Sequence, residues 1–222
     1  MPGLVVVALS GPTPDTPFLR ERIAGASLRI AADAGAQRLA ELGLQPDLIT
    51  GDFDSLSPPQ REAAVRAGAK VVPHPDPQQI TDGGAALRLA AQRGAATIVV
   101  LGAHGGARLD HSLANLLILF DPALRAIPVI AIDGWSEAVP LHADGQRTAS
   151  FSGRAGDYVS IVPISDHIRV TTHGLRWPLH NAPLQRGSSH GLSNELTGAA
   201  GGVTLHAGAA IAVHVGTPSP SR

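Results

Sequence analysis

The stretch that decides the fold is residues 97–111, which read TIVVLGAHGGARLDH. Its first five residues are mostly β-branched and apolar, as in a strand that is buried on both faces of a parallel sheet. The following residues are rich in glycine and end in charged side chains, which is typical of a turn from such a strand into a helix. The stretch therefore predicts a β-strand followed directly by an α-helix.

The same alternation recurs on both sides of this stretch, over residues 1–137. Short apolar runs typical of strands alternate with longer Ala- and Leu-rich segments of helical period. The predicted strands are Leu4–Leu9, Leu28–Ala32, Leu48–Thr50, Ala69–Val72, Thr97–Leu101 and Val129–Ile132. The helical segments begin near Thr16, Gly35, Pro58, Thr81 and Asp110. This order predicts an α/β domain with a Rossmann-like parallel sheet that is covered by helices on both faces.

Residues 138–222 have a different pattern, in which short strand-like runs are separated by Gly, Pro and Asn. The predicted strands here are Tyr158–Pro163, Ile168–Thr172, Leu175–Leu179, Gly202–His206 and Ala210–Val215. Their spacing is typical of an antiparallel β-sandwich, and no helix of useful length is indicated. The sequence therefore predicts a second, all-β domain.

The composition excludes several classes of protein. Of the 222 residues, 44% are hydrophobic and 16% are charged, which is typical of a soluble globular protein. A formal net charge of −1 leaves no basic surface that would attract nucleic acid or an anionic membrane. The chain has no cysteine, which excludes disulfides and thiolate metal sites. The apolar run at the start is too short for a membrane span, so we expect a cytoplasmic protein.

Acidic side chains follow the predicted strands at the points where the strands end. Asp33 follows the second strand, Asp52 and Asp54 follow the third, Asp82 ends the loop after the fourth, and Asp110 comes after the fifth. Ligands of open parallel sheets bind beyond the carboxyl ends of the strands, so these carboxylates are expected to meet. Their mutual repulsion requires a cation, and oxygen ligands suit Mg²⁺.

Some of these residues have a second interpretation as parts of turns and helix starts. Asp33 precedes an Ala-rich helical segment and is a candidate N-cap for it, as Thr81 is for the helix that begins near Asp82. Asp52 and Asp54 are two positions apart, so in an extended chain they point to the same side. A solvated turn is the alternative for this pair, because Gly-Asp and Asp-Ser are common loop dipeptides.

The glycine-rich turn of residues 102–111 is suited to binding phosphate through its backbone N–H groups. It has neither the P-loop ending nor the G-x-G-x-x-G pattern of dinucleotide-binding folds. Arg108 is expected in the loop, where its guanidinium can contact phosphate oxygens, with Asp110 at the start of the helix. The alternative is an Arg–Asp pair on the surface. Among ten histidines, His111 is the only one that falls in the predicted site.

Several motifs occur together in an order and spacing that is found in one known family. They are Ala32–Ala36, Pro46–Ser55, Thr81-Asp82, Gly106–Asn115 and Ser193–Glu195. Over about residues 30–215 the chain resembles the thiamine pyrophosphokinase family. The resemblance implies an α/β nucleotide-binding domain, a C-terminal β-sandwich and a homodimer. It also implies transfer of the diphosphate of ATP to the hydroxyl of thiamine, giving thiamine diphosphate and AMP.

The resemblance further implies roles for individual residues. Asp52, Asp54 and Asp82 are the implied Mg²⁺ ligands, and Asp82 is also the candidate that accepts the hydroxyl proton. Arg108 is the implied phosphate clamp and Asp110 its partner. The remaining nucleotide-side residues are Asp33, Gly51, Ser55, Thr81, His111 and Asn115. The implied thiamine contacts are Gln78, Ser193 and Asn194, with the β domain supplying its contacts across the dimer interface.

The chain also departs from the family pattern. Bacterial members usually have Lys and Asp where this chain has Gln78 and Gln79, so the number of metal ions stays open. Two alternative functions remain at this point. One is a diphosphokinase for another alcohol, such as a hydroxymethylpterin. The other is a sensor that binds a nucleotide or thiamine without catalysis.

Overall fold

A computed structural model of the chain describes residues 3–76 and 78–216. The chain divides into two compact units, Met1–Gly134 and Trp135–Arg222, whereas the prediction from sequence placed the boundary after residue 137. Residues 217–222 of the predicted second domain lie outside the described residues. Among the described helices, none combines the length and the apolar character that crossing a membrane would require.

The first unit contains a parallel sheet. Its strands are β1 Leu4–Ala8, β2 Leu28–Ala32, β3 Leu48–Gly51, β4 Lys70–Pro73, β5 Thr97–Leu101 and β6 Val129–Ile132. They lie in the order β6-β5-β1-β2-β3-β4, and every neighbouring pair is parallel. The chain runs from β1 outward to β4 and then restarts at β5 on the other side of β1. The carboxyl ends of β1 and β5 therefore form the switch point where such sheets bind ligands.

Five helices of this unit follow strands at the positions that the sequence predicts. They are α1 Pro17–Ile23, α2 Gly35–Glu41, α3 Pro58–Arg66, α4 Asp82–Gln92 and α5 Leu109–Leu117. Each begins within one residue of its predicted start. Helix α1 has Pro17 at its first position, and the hydroxyl of Thr16 accepts a hydrogen bond from the backbone N–H of Leu19 at 3.2 Å. Local start signals of this kind explain why the boundaries were predictable.

The core of the first unit is built from aliphatic side chains on the central strands. Val5, Val6 and Val7 of β1 have no exposed surface, because both faces of the sheet are covered. Helix α4 packs on β1, β2 and β3 with small residues, among them Ala86 and Ala90, which are fully buried. This close packing fixes the start of α4 near the carboxyl ends of these strands.

The second unit consists of antiparallel strands. They are β7 Ser136–His142, β8 Thr148–Ser152, β9 Tyr158–Pro163, β10 His167–His173, β11 Ala182–Gln185, β12 Asn194–Glu195, β13 Ala200–Ala207 and β14 Ala209–Val215. Within this unit the orders are β12-β9-β14-β7 and β11-β10-β13-β8, with antiparallel pairing throughout. The predicted all-β character of this part of the chain is confirmed.

The prediction of a strand at Leu175–Leu179 is wrong. Only Leu175 pairs there, through an isolated bridge to Leu196. Gly174 has a φ of +65°, and Pro178 has no N–H group to donate, so the segment cannot continue a ladder. Strands β7, β8, β11 and β12 were not predicted, because they are short, rich in small polar residues or interrupted by proline.

Candidate active site

Four carboxylates of the first unit line one cavity of about 360 Å³. Asp33 follows β2, Asp52 and Asp54 follow β3, and Asp82 begins α4. The end of β1 contributes Ser10 to the same cavity. Side chains from distant parts of the sequence therefore meet at the carboxyl edge of the sheet, as the parallel topology requires.

Three of these carboxylates form a tight group. Asp33, Asp52 and Asp82 each offer one oxygen atom, and these atoms all lie within 4.8 Å of one another. Asp54 lies outside this group, and its carboxylate accepts a hydrogen bond from the hydroxyl of Ser55 at 2.7 Å. Between Asp52 and Asp54, Phe53 has a φ of +63°, so the extended geometry expected for the pair is not present. A metal-binding role for Asp54 stays a prediction.

The interpretation of Asp33 as an N-cap is wrong. Helix α2 has Ala34 at its N-cap position, with no hydrogen bond from a side chain. Asp33 has a φ of +44°, and its Oδ2 accepts a hydrogen bond from the backbone N–H of Ser55 at 2.9 Å. The other oxygen, Oδ1, is buried and has no hydrogen-bond partner. The left-handed backbone directs the carboxylate to the turn after β3, where it joins Asp52 and Asp82.

Gly51 makes room for this convergence of carboxylates. Its φ is +152°, and a Cβ atom at this position would lie 3.0 Å from the Cβ of Asp33 and 3.3 Å from Oδ1 of Asp82. Any other residue would push against both acidic side chains. A glycine at the end of β3 is therefore a condition for the tight group to form.

Asp82 lies in the first turn of α4, where the positive end of the helix dipole favours a negative charge. The hydroxyl of Thr81 accepts a hydrogen bond from the N–H of Gly84 at 3.2 Å, so the predicted cap is confirmed. Oδ1 of Asp82 accepts a hydrogen bond from the backbone N–H of Asp52 at 3.3 Å. The first turn of α4 thus carries the carboxylate, and the residue that follows β3 donates a hydrogen bond to it.

The electrostatics of the group favour a cation. Burial raises the pKa of the Asp82 carboxyl, and the charges of Asp52 and Asp33 raise it further. Burial also raises the pKa of the Asp33 carboxyl. Both shifts mean that the ionised carboxylates are unfavourable at these positions without a positive partner. A bound divalent cation would remove this penalty.

Arg108 and Asp110 form a pair at the start of α5. Nε and Nη2 of Arg108 donate to the two carboxylate oxygens of Asp110 at 2.9 and 2.6 Å. This hydrogen bonding holds the pKa of Asp110 well below its usual range. Helix α5 begins at Leu109, so the expected loop and helix positions of the two residues are confirmed. Arg108 lines the cavity, while Asp110 is not among the residues on its wall.

A second cavity of about 410 Å³ adjoins the first. The two share Ser10, Ser55, Arg108, His111 and Asn115, and the glycine-rich loop forms another part of the second wall. Gly102 has a φ of +65°, and a Cβ there would lie 2.7 Å from the carbonyl oxygen of Gly11. The loop can approach the end of β1 only because this residue is glycine. The two cavities together have the volume of a typical ligand site.

Most of the predicted site residues of the first unit lie on the first cavity. They are Asp33, Asp52, Asp54, Ser55, Thr81, Asp82, Arg108, His111 and Asn115. Gly51 is not among the lining residues, but its Cβ position lies 3.0 Å from the Cβ of Asp33. Gln78 is not among the lining residues of either cavity, and its backbone N–H donates to the carboxylate of Asp76 at 3.2 Å. A role of Gln78 in binding thiamine stays a prediction.

His74 and Arg38 were not predicted from the sequence. His111 is not the only histidine at the site, because Nε2 of His74 lies 3.5 Å from Oδ1 of Asp82. Arg38 lines the second cavity, and its Nε is buried without a hydrogen-bond partner. His74 directly follows β4, so the strand-end rule that identified the acidic residues would also have found it.

One of the predicted thiamine contacts of the second unit, Asn194, is hydrogen-bonded to the backbone of an exposed tryptophan. Oδ1 of Asn194 accepts a hydrogen bond from the N–H of Trp177 at 3.0 Å, and Nδ2 donates to the carbonyl of Trp177 at 2.7 Å. The backbone N–H of Ser193 donates to the hydroxyl of Ser160 at 3.0 Å. Trp177 is 52% exposed, although large aromatic side chains are usually buried. Sequence reasoning did not single out this tryptophan.

Comparison with family models matches both units of the chain. Residues 19–131, about half of the chain, match the model described as "Thiamin pyrophosphokinase, catalytic domain". Residues 147–211 match the model described as "Thiamin pyrophosphokinase, vitamin B1 binding domain". The two matches fall on the α/β unit and on the β unit respectively.

Individual proteins are similar over most of the chain. The thiamine pyrophosphokinase of Bacillus subtilis (strain 168) is 29% identical over 171 residues, which are 77% of this chain and 78% of that protein. The thiamine pyrophosphokinase 1 of Oryza sativa subsp. japonica is 28% identical over 200 residues, with 80% and 74% covered. A crystal structure of thiamine pyrophosphokinase from Bacillus subtilis has a TM-score of 0.80 at 26% identity and covers 97% of this chain and 100% of its own. The predicted fold class is confirmed.

Proposed function

The chain belongs to the thiamine pyrophosphokinase family, and we propose that it transfers the diphosphate of ATP to the hydroxyl of thiamine, giving thiamine diphosphate and AMP. The observation that carries the proposal is the group of Asp33, Asp52 and Asp82, whose oxygen atoms meet within 4.8 Å at the carboxyl edge of the parallel sheet. This group lies in a cavity that also contains Arg108. Carboxylates and a guanidinium at one sheet edge are what a magnesium–triphosphate complex requires.

The carboxylate group fits Mg²⁺. All of its donors are oxygen atoms, which this ion prefers. The buried Oδ1 of Asp33 has no protein partner, and coordination would satisfy it. We assign Mg²⁺ to Asp33, Asp52 and Asp82, with Asp54 beside them on the cavity wall. When bound, the ion neutralises charge on the phosphates.

Residues of the two cavities would hold the triphosphate. Arg108 supplies a guanidinium, and the turn before α5 supplies backbone N–H groups. Asp110 holds Arg108 in place through two hydrogen bonds. Since phosphoryl transfer depends mainly on positioning and charge neutralisation, these contacts account for the catalysis expected of the chain.

In the proposed reaction the thiamine hydroxyl oxygen attacks the β-phosphorus of ATP in line. A bond forms between these atoms while the bond from the β-phosphorus to the bridging α,β-oxygen breaks, so that AMP leaves. We propose that Asp82 accepts the hydroxyl proton. This carboxylate lies on the wall of the cavity that would hold the triphosphate, so it would be close to the reacting hydroxyl.

For the thiamine side we propose the exposed face of Trp177 together with Ser193 and Asn194. The guanidinium of Arg176 lies 4.9 Å from the centre of the Trp177 ring, and it also pairs with Glu195 at 2.9 Å. Asn194 thus holds the backbone of Trp177, and Arg176 contacts its ring. Aromatic faces bind planar cationic rings, and thiamine contains one.

We further propose a cytoplasmic homodimer whose thiamine site lies near the subunit interface. Leu109, Leu113 and Leu117 lie four residues apart on α5 and are 70%, 56% and 54% exposed. The opposite face of this helix carries His111 and Asn115, which line the cavity. A second copy that covers the leucines would therefore lie close to the phosphate site.

The decisive experiment incubates the purified chain with ATP, thiamine and Mg²⁺, and separates the products by chromatography. We expect thiamine diphosphate and AMP in equal amounts. A hydroxymethylpterin added in place of thiamine should give no AMP, and preferential use of the pterin would support the other diphosphokinase. Calorimetric binding of ATP and thiamine without AMP at saturating Mg²⁺ would support a non-catalytic sensor.

A further inference from the structure

His74 is a buried histidine that the proposed reaction does not yet use. It is the first residue after β4, and its side chain is only 3% exposed. The loop that follows it leads to Thr81 and Asp82 at the start of α4. A buried imidazole beside a carboxylate of the site requires an explanation in terms of its hydrogen bonds.

The hydrogen bonding of the His74 ring determines which of its nitrogens can donate. Nδ1 of His74 accepts a hydrogen bond from the backbone N–H of Asp76 at 3.1 Å. A ring nitrogen that accepts a hydrogen bond carries no proton, so Nε2 is the nitrogen that can donate. This excludes Nε2 as a metal ligand in the same state, because its lone pair is not free.

One hydrogen-bond acceptor lies close to Nε2 of His74. Nε2 is buried and has no hydrogen-bond partner of adequate geometry, but it lies 3.5 Å from Oδ1 of Asp82. Burying an N–H group without a partner is unfavourable, and a small movement of the Asp82 carboxylate would complete the bond. The same oxygen already accepts from the N–H of Asp52 at 3.3 Å.

We propose that His74 is a positioning residue, which donates a hydrogen bond from Nε2 to Oδ1 of Asp82 and fixes the orientation of that carboxylate. With two N–H donors on Oδ1, the carboxylate of Asp82 cannot rotate freely. This arrangement corresponds to the outer-shell partners that orient metal-binding side chains. The inference rests on the proposed role of Asp82 and adds the residue that holds it.

Two substitutions separate the roles of the two ring nitrogens. His74→Gln places an amide N–H near the position of Nε2 and keeps the donor to Asp82. His74→Asn places its amide near Nδ1, where the amide oxygen can accept from the N–H of Asp76, and it loses the donor to Asp82. His74→Phe keeps the ring volume without either nitrogen and serves as the packing control.

The first measurement is kcat and KM for ATP with Mg²⁺. We expect His74→Asn and His74→Phe to lower kcat/KM about 10- to 100-fold, as outer-shell substitutions do, and His74→Gln to recover most of the loss. If His74→Asn kept full activity while His74→Gln lost it, the residue would act only on the loop through Asp76, and the proposal would be overturned.

Two further readouts do not require activity, so they distinguish a failure of this proposal from a failure of the proposed function. Calorimetric titration with Mg²⁺ alone should show weaker binding for His74→Asn than for His74→Gln, and equal binding would contradict the proposal. Ring-nitrogen NMR of the wild-type chain should show a proton on Nε2 of His74. A proton on Nδ1 would exclude the proposed donor even if the chain is fully active.

Discussion

At the scale of the residue, the backbone of Asp33 decides what its side chain does. With an extended backbone this aspartate could act as an N-cap, but at a φ of +44° its carboxylate contacts the turn after β3 instead. The result is a buried acid that is next to two other acids. Without a cation, this arrangement of carboxylates is unfavourable for the stability of the folded chain.

The substitution Asp33→Asn tests this balance. We expect Mg²⁺-dependent activity to fall on the order of 10²-fold, because one ligand loses its charge. Without Mg²⁺, the melting temperature should rise by about 2–4 °C, which corresponds to about 1 kcal/mol, since the repulsion is reduced. Calorimetry in EDTA and an AMP-release assay measure the two effects. Glu62→Gln, at an exposed position on α3, is the control, and a loss of stability in Asp33→Asn would show that the residue is structural.

The raised pKa values of Asp33 and Asp82 also predict a pH dependence. In the Mg²⁺-free folded chain these groups bind protons more tightly than in the unfolded chain. Their contribution to stability is therefore full below the unfolded pKa of about 3.9 and is lost as the pH rises through the raised values. The stabilisation by Asp33→Asn in EDTA should be largest at neutral pH and shrink towards pH 4. Melting curves of variant and wild type across this range test it, and a difference that does not vary with pH would contradict it.

At the scale of the element, the end of β3 and the start of α4 build the site together. Strand β3 ends at Gly51, which has no side chain, and α4 begins with Asp82 directly beside it. Buried alanines hold helix α4 close to the sheet, so its first turn cannot move away from the end of β3. The distance between the acidic side chains is thus set by the packing of a helix on a sheet.

The substitution Gly51→Ala tests this contact. A Cβ would lie 3.0 Å from the Cβ of Asp33, so the carboxylate group must open and Mg²⁺ affinity should fall about tenfold or more. Gly25→Ala is the matched control, because Gly25 also has a positive φ, of +74°, but nothing lies within 4 Å of its Cβ position. Both variants should lose about 1–2 kcal/mol of stability from the backbone alone. Titration calorimetry should show weaker Mg²⁺ binding only in Gly51→Ala, and equal binding in both would refute the steric explanation.

At the scale of the whole molecule, the α/β unit has the composition expected of a domain with a thin aliphatic core. One helix departs from it, because α5 presents Leu109, Leu113 and Leu117 to solvent. Exposed leucines in a row cost solubility unless another surface covers them. Since the opposite face of α5 lines the cavity, oligomerisation and the active site are expected to be linked.

Replacing Leu113 by Glu should therefore produce a monomer. Sedimentation velocity of the wild-type chain should show twice the mass found for the variant, because a buried charge in the centre of an apolar interface is unfavourable. Val65→Glu, an exposed position on α3, is the control and should leave the mass unchanged. A wild-type chain that sediments as a monomer would disprove the predicted homodimer.

The sequence by itself determined the class of both units, the strands of the parallel sheet and the starts of its helices, because local periodicity and cap residues encode them. It also indicated which strand ends carry acids. Only the tertiary structure decided that Asp33 joins Asp52 and Asp82 while Asp54 lies beside them, and that Nε2 of His74 lies 3.5 Å from Oδ1 of Asp82. These facts depend on backbone angles and on contacts between distant segments, which no local pattern specifies. The fold follows from short-range preferences, whereas the arrangement of the site follows from how the finished layers pack.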